Sequence, residues 1–343
     1  MGLTHDFLKP DGSLFFPDIG LDLLAEAPEI EWEFLKGEAQ ELSPDQIRGY
    51  DALIVLAPRV TATTLEGADQ LILIARFGVG YDNVDIDACT QRGIMVTITP
   101  DGVRRPMAVA AMTFLLALSH KLLIKDRLTR SGRWAEKINH MGTGLTGRIF
   151  GLIGMGNIGR ELVTLARLLD MRYLAYDPYL RQEDAAALGV KLVDLETLLR
   201  EADFVCVLCP LTPETRHLIN AERLSLMKPT AYLINVARGP IVDQKALTLA
   251  LQEGRIQGAA LDVFEQEPVD PEDPILRLEN VIVAPHAIGW TDEIFRGNGR
   301  SACRSILDVV HGRVPRYLVD RSVLNHPRLR EKLQYFQEGR GMR

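Results

Sequence analysis

The stretch Gly154-Met155-Gly156-Asn157-Ile158-Gly159 decides the fold, because its three glycines have the spacing of a turn that binds dinucleotides. A short apolar run, Ile149–Ile153, precedes the turn, and an apolar-periodic segment at 160–169 follows it without a helix breaker. The first two glycines allow backbone amides to approach a pyrophosphate at the positive end of the helix. We therefore predict a strand, a glycine turn and a helix that hold a dinucleotide; the alternative is a purely structural turn.

An acidic residue stands where such a fold places its ribose-binding group. Asp177 follows the apolar run 172–176, roughly 20 positions beyond the glycines. A carboxylate accepts hydrogen bonds from the adenosine ribose and repels a 2′-phosphate, so we predict NAD rather than NADP as the cofactor.

Composition and charge narrow the possible functions. The chain has 343 residues, of which 47% are hydrophobic and 25% charged, values typical of a globular protein with two domains. The net charge of −7 argues against a nucleic-acid partner. We expect no membrane span and a cytoplasmic location, because no apolar run reaches about 18 residues and the N-terminus has no export pattern. Cys206 and Cys209 would point to opposite faces of one strand, so we predict no metal site.

Strand and helix patterns alternate along most of the chain. This alternation predicts an α/β protein with two Rossmann-like parallel-sheet domains, one flavodoxin-like and one dinucleotide-binding, and a cleft between them. We predict a discontinuous substrate domain from residues 1–103 and 292–343, and an NAD-binding domain from residues 104–291. Within the first domain we expect a helix at 65–69. Between the domains we expect a long helix with Pro106 in its first turn.

Three polar residues stand at the ends of late predicted strands, namely Arg238, Glu267 and His286. Oxidising a secondary alcohol requires a group that takes the hydroxyl proton, and histidine suits this role because its ordinary pKa is near 6.5. A carboxylate orients such a histidine, and an arginine binds a substrate carboxylate in bidentate fashion, through two hydrogen bonds. Each residue also has a simpler interpretation, as a strand-end cap or an ordinary surface charge.

The chain resembles the D-isomer-specific 2-hydroxyacid dehydrogenase family over nearly its whole length. The resemblance rests on motifs that occur in the family's order: Gly147-Arg-Ile-Phe-Gly-Leu-Ile-Gly-Met-Gly-Asn-Ile-Gly159, Tyr176-Asp-Pro178, Cys209-Pro-Leu-Thr-Pro-Glu-Thr215, Met227-Lys-Pro229, Asn235-Val-Ala-Arg-Gly239, Val242-Asp243, Leu261-Asp-Val-Phe264 and Pro285-His286.

The resemblance implies specific roles for these residues. Arg238, Glu267 and His286 would be the catalytic triad, while Arg76, Arg238 and the backbone amides of Val79 and Gly80 would bind the substrate. The family also implies a homodimer formed through the NAD-binding domain. The implied cofactor-binding residues are Thr113, Gly154, Met155, Gly156, Asn157, Ile158, Gly159, Asp177, Pro178, Cys209, Pro210, Thr215, Val236, Ala237, Asp262 and Gly289.

Departures from the family pattern bear on the substrate. Arg76 would hold a second anionic group or would pair with Asp82 or Asp85, whereas Arg104-Arg105 would contact substrate or serve a hinge or dimer surface. Trp290 replaces a smaller residue and would project toward the cleft.

The function that these features predict is NAD-dependent interconversion of a D-2-hydroxy acid and its 2-oxo acid. The acid would be small and polar or dianionic, like hydroxypyruvate, glyoxylate or phosphoglycerate. The alternatives are an NAD-sensing scaffold, as in corepressors with the same fold, and a formate- or phosphite-type dehydrogenase.

Overall fold

The computed structural model describes residues 1–337; residues 338–343, the end of the predicted substrate domain, lie outside the described residues. The chain divides into two compact units. The first unit is Met1–Val103 together with the segment that begins at Trp290, and the second unit is Arg104–Gly289.

The first unit is built on a five-stranded parallel sheet with the strand order β2-β1-β3-β4-β5. This is the flavodoxin-like order, which confirms the predicted fold class for this unit. The central strands are buried on both faces, which explains their continuous apolar composition. The elements are β1 Gly2–Leu3, β2 Glu33–Phe34, α1 Pro44–Ile47, β3 Ala52–Val55, β4 Leu73–Arg76, α2 Ile86–Gln91 and β5 Met95–Thr97.

A long helix, α3 (Pro100–Ser119), follows β5 and contains the boundary between the two units. The second unit has a seven-stranded parallel sheet with the order β12-β11-β10-β9-β6-β7-β8. The order reverses beside β6, as in dinucleotide-binding folds, so a ligand site is expected at the carboxyl ends of the central strands. The strands are β6 Ile149–Ile153, β7 Arg172–Tyr176, β8 Val190–Leu192, β9 Phe204–Val207, β10 Tyr232–Asn235, β11 Gly258–Leu261 and β12 Val281–Val283.

Helices cover this seven-stranded sheet, and two separate clusters of buried apolar residues pack against it, one on each face. Asp194, Asn220 and Asp243 each cap the start of a helix by accepting a hydrogen bond from a backbone N–H. The helices are α4 Leu122–Arg130, α5 Asn157–Ala166, α6 Gln182–Ala186, α7 Leu195–Glu201, α8 Ala221–Leu224 and α9 Gln244–Gln252.

The chain returns to the first unit through α10 (Asp292–Val310) and α11 (Pro327–Gln337). Thr291 caps α10 by accepting from the Ile294 N–H at 3.3 Å. Arg328 of α11 donates to four backbone carbonyls of the first segment, which attaches the last helix to that segment. Short 3-10 helices complete the chain at His5–Phe7, Leu21–Glu26, Trp134–Asn139, Arg167–Leu169, Gly239–Ile241, Pro274–Arg277 and Arg321–Asn325.

Two expectations about helices are wrong. Residues 65–69 do not form a helix, because the turn that contains Leu65 ends at Gly67, whose φ of +71° interrupts the helical conformation. Their apolar spacing instead places Leu65 and Ala68 in the core. Pro106 lies inside α3, because the proline that starts this helix is Pro100.

One bent pair of helices has the length and apolar composition of a membrane span. Within residues 1–337 no single helix is long and apolar enough to cross a membrane. By length and composition alone, α3 and α4 qualify as a pair, bent by 59° at the break between them.

Candidate active site

The glycine turn joins β6 to α5 in the second unit. Gly154 has a φ of +94°, and a Cβ there would lie 2.7 Å from the backbone nitrogen of Cys209, so a side chain is excluded on both grounds. At Gly156, in contrast, a Cβ would meet nothing within 4 Å. The turn therefore leaves open space before the first N–H groups of α5, which is the cradle that a pyrophosphate requires.

Asp177 follows β7 and is bonded to this turn. Its Oδ2 accepts from the Met155 N–H at 2.8 Å, and its Oδ1 accepts from the Tyr179 N–H at 3.0 Å. The carboxylate is thus held between the turn and the segment that begins at Pro178. Since each oxygen has a further lone pair, Asp177 can still accept from ribose hydroxyls.

The loop after β9 contains three more of the implied cofactor-binding residues. The Thr215 hydroxyl donates to the Pro210 carbonyl at 2.7 Å and so closes the loop on itself. Burial raises the pKa of the Cys209 thiol to about 11, so it is neutral at physiological pH and adds no negative charge beside a diphosphate. Thr113 lies on α3, where its hydroxyl donates to the Val109 carbonyl at 2.9 Å.

His286 and Glu267 meet where β11 and β12 end. The Nδ1–H of His286 donates to Oε2 of Glu267 at 2.7 Å, because a carboxylate can only accept. The other carboxylate oxygen accepts from the Phe264 N–H at 3.0 Å. Nε2 of His286 is therefore the ring nitrogen through which a proton would pass to or from a substrate.

Glu267 is ionised in this setting. Burial by itself would raise the pKa of Glu267. The hydrogen bonds from His286 and Phe264 outweigh burial, together with the positive charge of Arg238, and hold the pKa below its ordinary value. The carboxylate is therefore charged at neutral pH and stabilises an imidazolium.

Asp262 fixes the backbone around His286. Its Oδ1 accepts from the N–H groups of Ala287 and Ile288 at 2.8 and 2.9 Å, and its carbonyl accepts from the His286 N–H at 2.7 Å. The φ of His286 is +53°, an uncommon conformation for a residue other than glycine. Asp262, which the resemblance implied as a cofactor contact, thus also holds the catalytic candidate in place.

Arg238 follows β10, and a residue that sequence reasoning missed supports it. Asn235 is buried, donates to the Arg238 carbonyl at 3.0 Å and accepts from the Ala237 N–H at 3.1 Å. The only sequence signal was its place in the Asn235-Val-Ala-Arg-Gly239 motif. The arginine side chain donates to the Ala237 carbonyl at 2.8 Å. The implied cofactor residues Val236 and Ala237 lie in this same loop.

The predicted substrate loop lies in the first unit, directly after β4. Gly78, with a φ of +146°, lies under the Arg76 guanidinium, since a Cβ there would be 2.6 Å from Nη1. Arg76 donates to Oδ1 of Asn83 at 3.3 Å and to the Phe77 carbonyl. Asp85, one of the two predicted partners of Arg76, instead caps α2 by accepting from the Ala88 N–H at 2.9 Å.

Two other departures from the family pattern have contacts within their own units. In the second unit, Arg104 and Arg105 both pair with Glu161 of α5, at 3.5 and 2.8 Å. In the first unit, Trp290 packs edge-on against Phe16 and Phe295, with ring centroids 5.3 and 5.4 Å away. The predicted roles of these side chains toward substrate remain predictions.

The family model for the D-isomer specific 2-hydroxyacid dehydrogenase NAD-binding domain matches residues 112–287, more than half of the chain. The chain belongs to this family. The matched segment contains the glycine turn and the pair of Glu267 and His286, so the second unit is an NAD-binding domain.

Relatives of this dehydrogenase match nearly the full chain. A glyoxylate reductase of Korarchaeum cryptofilum is 39% identical over 313 residues, which cover 90% of this chain and 94% of the relative. One of Thermococcus kodakarensis is 40% identical over 316 residues, covering 90% and 95%.

Solved structures agree with the fold. The dehydrogenase superimposes on a protein from Thermus thermophilus with a TM-score of 0.80 and 33% identity, over 93% of this chain and 100% of that one. A D-lactate dehydrogenase of Aquifex aeolicus complexed with NAD and lactic acid has a TM-score of 0.78 and 28% identity, over 91% and 95%. The protein is an NAD-dependent oxidoreductase that interconverts 2-hydroxy and 2-oxo acids. Within residues 1–337, no group of three or more His, Cys, Asp or Glu residues is placed to hold a metal ion.

Proposed function

We propose that this dehydrogenase reduces a short 2-oxo acid of the glyoxylate or hydroxypyruvate type. The observation that carries the proposal is the bond between Glu267 and His286 at the sheet edge that also holds the glycine turn. The relatives named glyoxylate reductase support the substrate class.

Separate residues of the proposed site bind the cofactor, bind the substrate and transfer the proton. The glycine turn and Asp177 would hold NADH, which would supply the hydride when bound. Arg238 binds the substrate carboxylate in bidentate fashion, through two parallel hydrogen bonds, and polarises the neighbouring carbonyl. In the first unit, we assign the backbone amides of Val79 and Gly80 to substrate binding. His286 gives its Nε2 proton to the carbonyl oxygen, and Glu267 holds the ring in position.

Arg76 favours a monoanionic substrate. Its guanidinium is directed to Asn83 and to the Phe77 carbonyl, and it covers Gly78 rather than extending away from the loop. We infer that it stiffens the substrate loop and does not hold a second anionic group.

A reduction screen tests this function. Glyoxylate and hydroxypyruvate should be reduced with higher kcat/KM than oxaloacetate, 2-oxoglutarate or phosphohydroxypyruvate, and NADH should be preferred to NADPH because Asp177 repels a 2′-phosphate. Arg76→Ala should lower kcat/KM for all five acids by a similar factor. A selective loss for the dianionic acids would contradict the role given to Arg76. Failure of the wild-type enzyme to reduce any of the five would contradict the function.

We also propose that the first unit is the substrate domain and that the enzyme is a cytoplasmic homodimer assembled through its NAD-binding domain. Large apolar side chains are exposed along residues 122–141, which supports an interface there. All four cysteines are free, as is usual in a reducing compartment. Sedimentation should give about twice the chain mass, and cell fractionation should recover the enzyme in the cytosol. A monomer or a membrane-bound fraction would contradict these proposals.

A further inference from the structure

A second histidine–carboxylate pair lies close to the catalytic candidates in the second unit. Nε2 of His217 is 2.8 Å from Oε1 of Glu265. His217 has a φ of +50°, so the backbone adopts an uncommon conformation there, as it does at His286. Neither His217 nor Glu265 is among the residues that the family resemblance implies. The pair therefore needs an explanation of its own.

The pair connects the loops that carry the catalytic residues. His217 lies in the loop after β9, and its backbone N–H donates to the Pro240 carbonyl at 2.8 Å, two residues beyond Arg238. Its ring reaches Glu265, two residues before Glu267. One histidine thus contacts both the loop that holds the arginine and the loop that holds the catalytic carboxylate.

Glu265 is anchored independently of His217. Its N–H donates to Oε1 of Gln244 at 3.0 Å, and its carboxylate accepts from the Gln244 N–H at 3.1 Å. Gln244 opens α9 and also donates to Asp273 at 2.7 Å. Glu265 is therefore a fixed point at the start of a helix, and the histidine ring positions the loop after β9 against it.

The loops after β10 and β11 are also in direct contact beside this pair. A Cβ on Gly239 would lie 1.8 Å from the Phe264 carbonyl oxygen and 2.6 Å from the Glu265 nitrogen. Any displacement of Glu265 is therefore transmitted to the backbone next to Arg238. The Phe264 N–H in turn bonds to Glu267 at 3.0 Å, so the same displacement reaches the catalytic carboxylate.

We propose that His217 and Glu265 are a positioning pair that sets the placement of Arg238 relative to Glu267 and His286. This inference rests on the proposed function. Polar side-chain contacts as exposed as this one contribute little to folding stability. In contrast, a displacement of about 1 Å at a reacting centre can cost about 100-fold in rate. The pair therefore contributes little to folding stability but has a large effect on the catalytic rate, through the geometry of the site.

The test compares variants chosen for the backbone conformation at position 217. In His217→Asn the side chain is too short to reach Glu265, and asparagine tolerates a positive φ. In His217→Gln the longer amide can donate to Glu265 again. Glu265→Gln keeps the acceptor and removes the charge. Arg200→Gln removes an exposed pair with Glu196 on α7, 2.9 Å apart and away from these loops, and serves as the matched control.

His217→Asn should lower kcat for glyoxylate reduction about 10- to 100-fold. The primary isotope effect with 4-deuterated NADH should increase, because hydride transfer becomes rate-limiting. The Kd for NADH and the melting temperature should stay close to wild type. His217→Gln should recover a substantial part of kcat, and Glu265→Gln, which keeps the acceptor, should lose less than His217→Asn. Arg200→Gln should stay close to wild type.

Three outcomes would overturn the inference. The first is a kcat of His217→Asn within about twofold of the wild-type value. The second is a loss of kcat that follows a lowered melting temperature, which indicates a structural role. The third is a loss in His217→Gln equal to that in His217→Asn. A wild-type enzyme that reduces no 2-oxo acid would overturn the proposed function first, so the two failures are distinguishable.

Discussion

His286→Gln is expected to lower kcat for the 2-oxo acid by about 1,000- to 10,000-fold, at the upper end of what a positioned acid–base group contributes. Glutamine can still donate a hydrogen bond to Glu267, but its amide does not exchange a proton with substrate in the working pH range. Steady-state reduction of glyoxylate by NADH measures the loss. The Kd for NADH, followed by nucleotide fluorescence, should change little.

The positive φ of His286 requires a second replacement that tolerates this backbone conformation, together with a matched control. Because the φ of His286 is +53°, His286→Asn is the replacement that best tolerates the conformation and should lose activity to the same extent. His311→Gln changes a histidine at the end of α10 whose ring contacts the Leu307 carbonyl, and should retain wild-type turnover. Turnover by both His286 variants within about tenfold of wild type would rule out the proton-transfer role.

Arg238→Ala is expected to lower kcat/KM about 100- to 10,000-fold. Each hydrogen bond from a charged donor contributes about 1.5–3 kcal/mol to binding, and a bidentate contact between arginine and a carboxylate contains two such bonds. Both kinetic constants should change, since the clamp binds the substrate in the ground state and also polarises its carbonyl in the transition state. Steady-state kinetics at saturating NADH separate the two effects.

Charge alone should not replace the guanidinium. Arg238→Lys keeps the positive charge but offers a single point of contact, so its kcat/KM should fall between those of the wild type and Arg238→Ala. Added guanidinium ion should partly restore Arg238→Ala. Arg255→Ala, which removes an exposed pair with Glu253 at 2.5 Å, is the matched control. Equal kinetics in Arg238→Ala and this control would exclude Arg238 as the substrate clamp.

Local patterns were sufficient to predict the sheets and the glycine turn. Strand β6 has the predicted bounds, because a parallel strand buried on both faces is a short apolar run between polar loops. The catalytic candidates could be named because each stands in the loop that follows such a strand. The helix expected at 65–69 failed because its apolar spacing is equally compatible with turns that bury the same side chains.

Contacts between distant loops could not be predicted in the same way. Asn235 holds the Arg238 loop, Asp262 holds the His286 loop, and His217 reaches Glu265 across another loop. No periodicity marks such residues, since each contact depends on how the strand ends are arranged in the folded sheet. The substrate preference depends in the same way on side-chain directions, such as that of Arg76 over Gly78.

The missing side chain at Gly239 has a consequence for the evolution and redesign of this enzyme. Because a Cβ at position 239 would overlap the Phe264 carbonyl, the segment that carries Arg238 and the segment that carries Glu267 can diverge only through coordinated changes in both. Libraries that randomise position 239 alone should yield almost no active clones. New acid preferences are better sought by varying the segment after β4, whose replacement leaves this inflexible pairing of backbones intact.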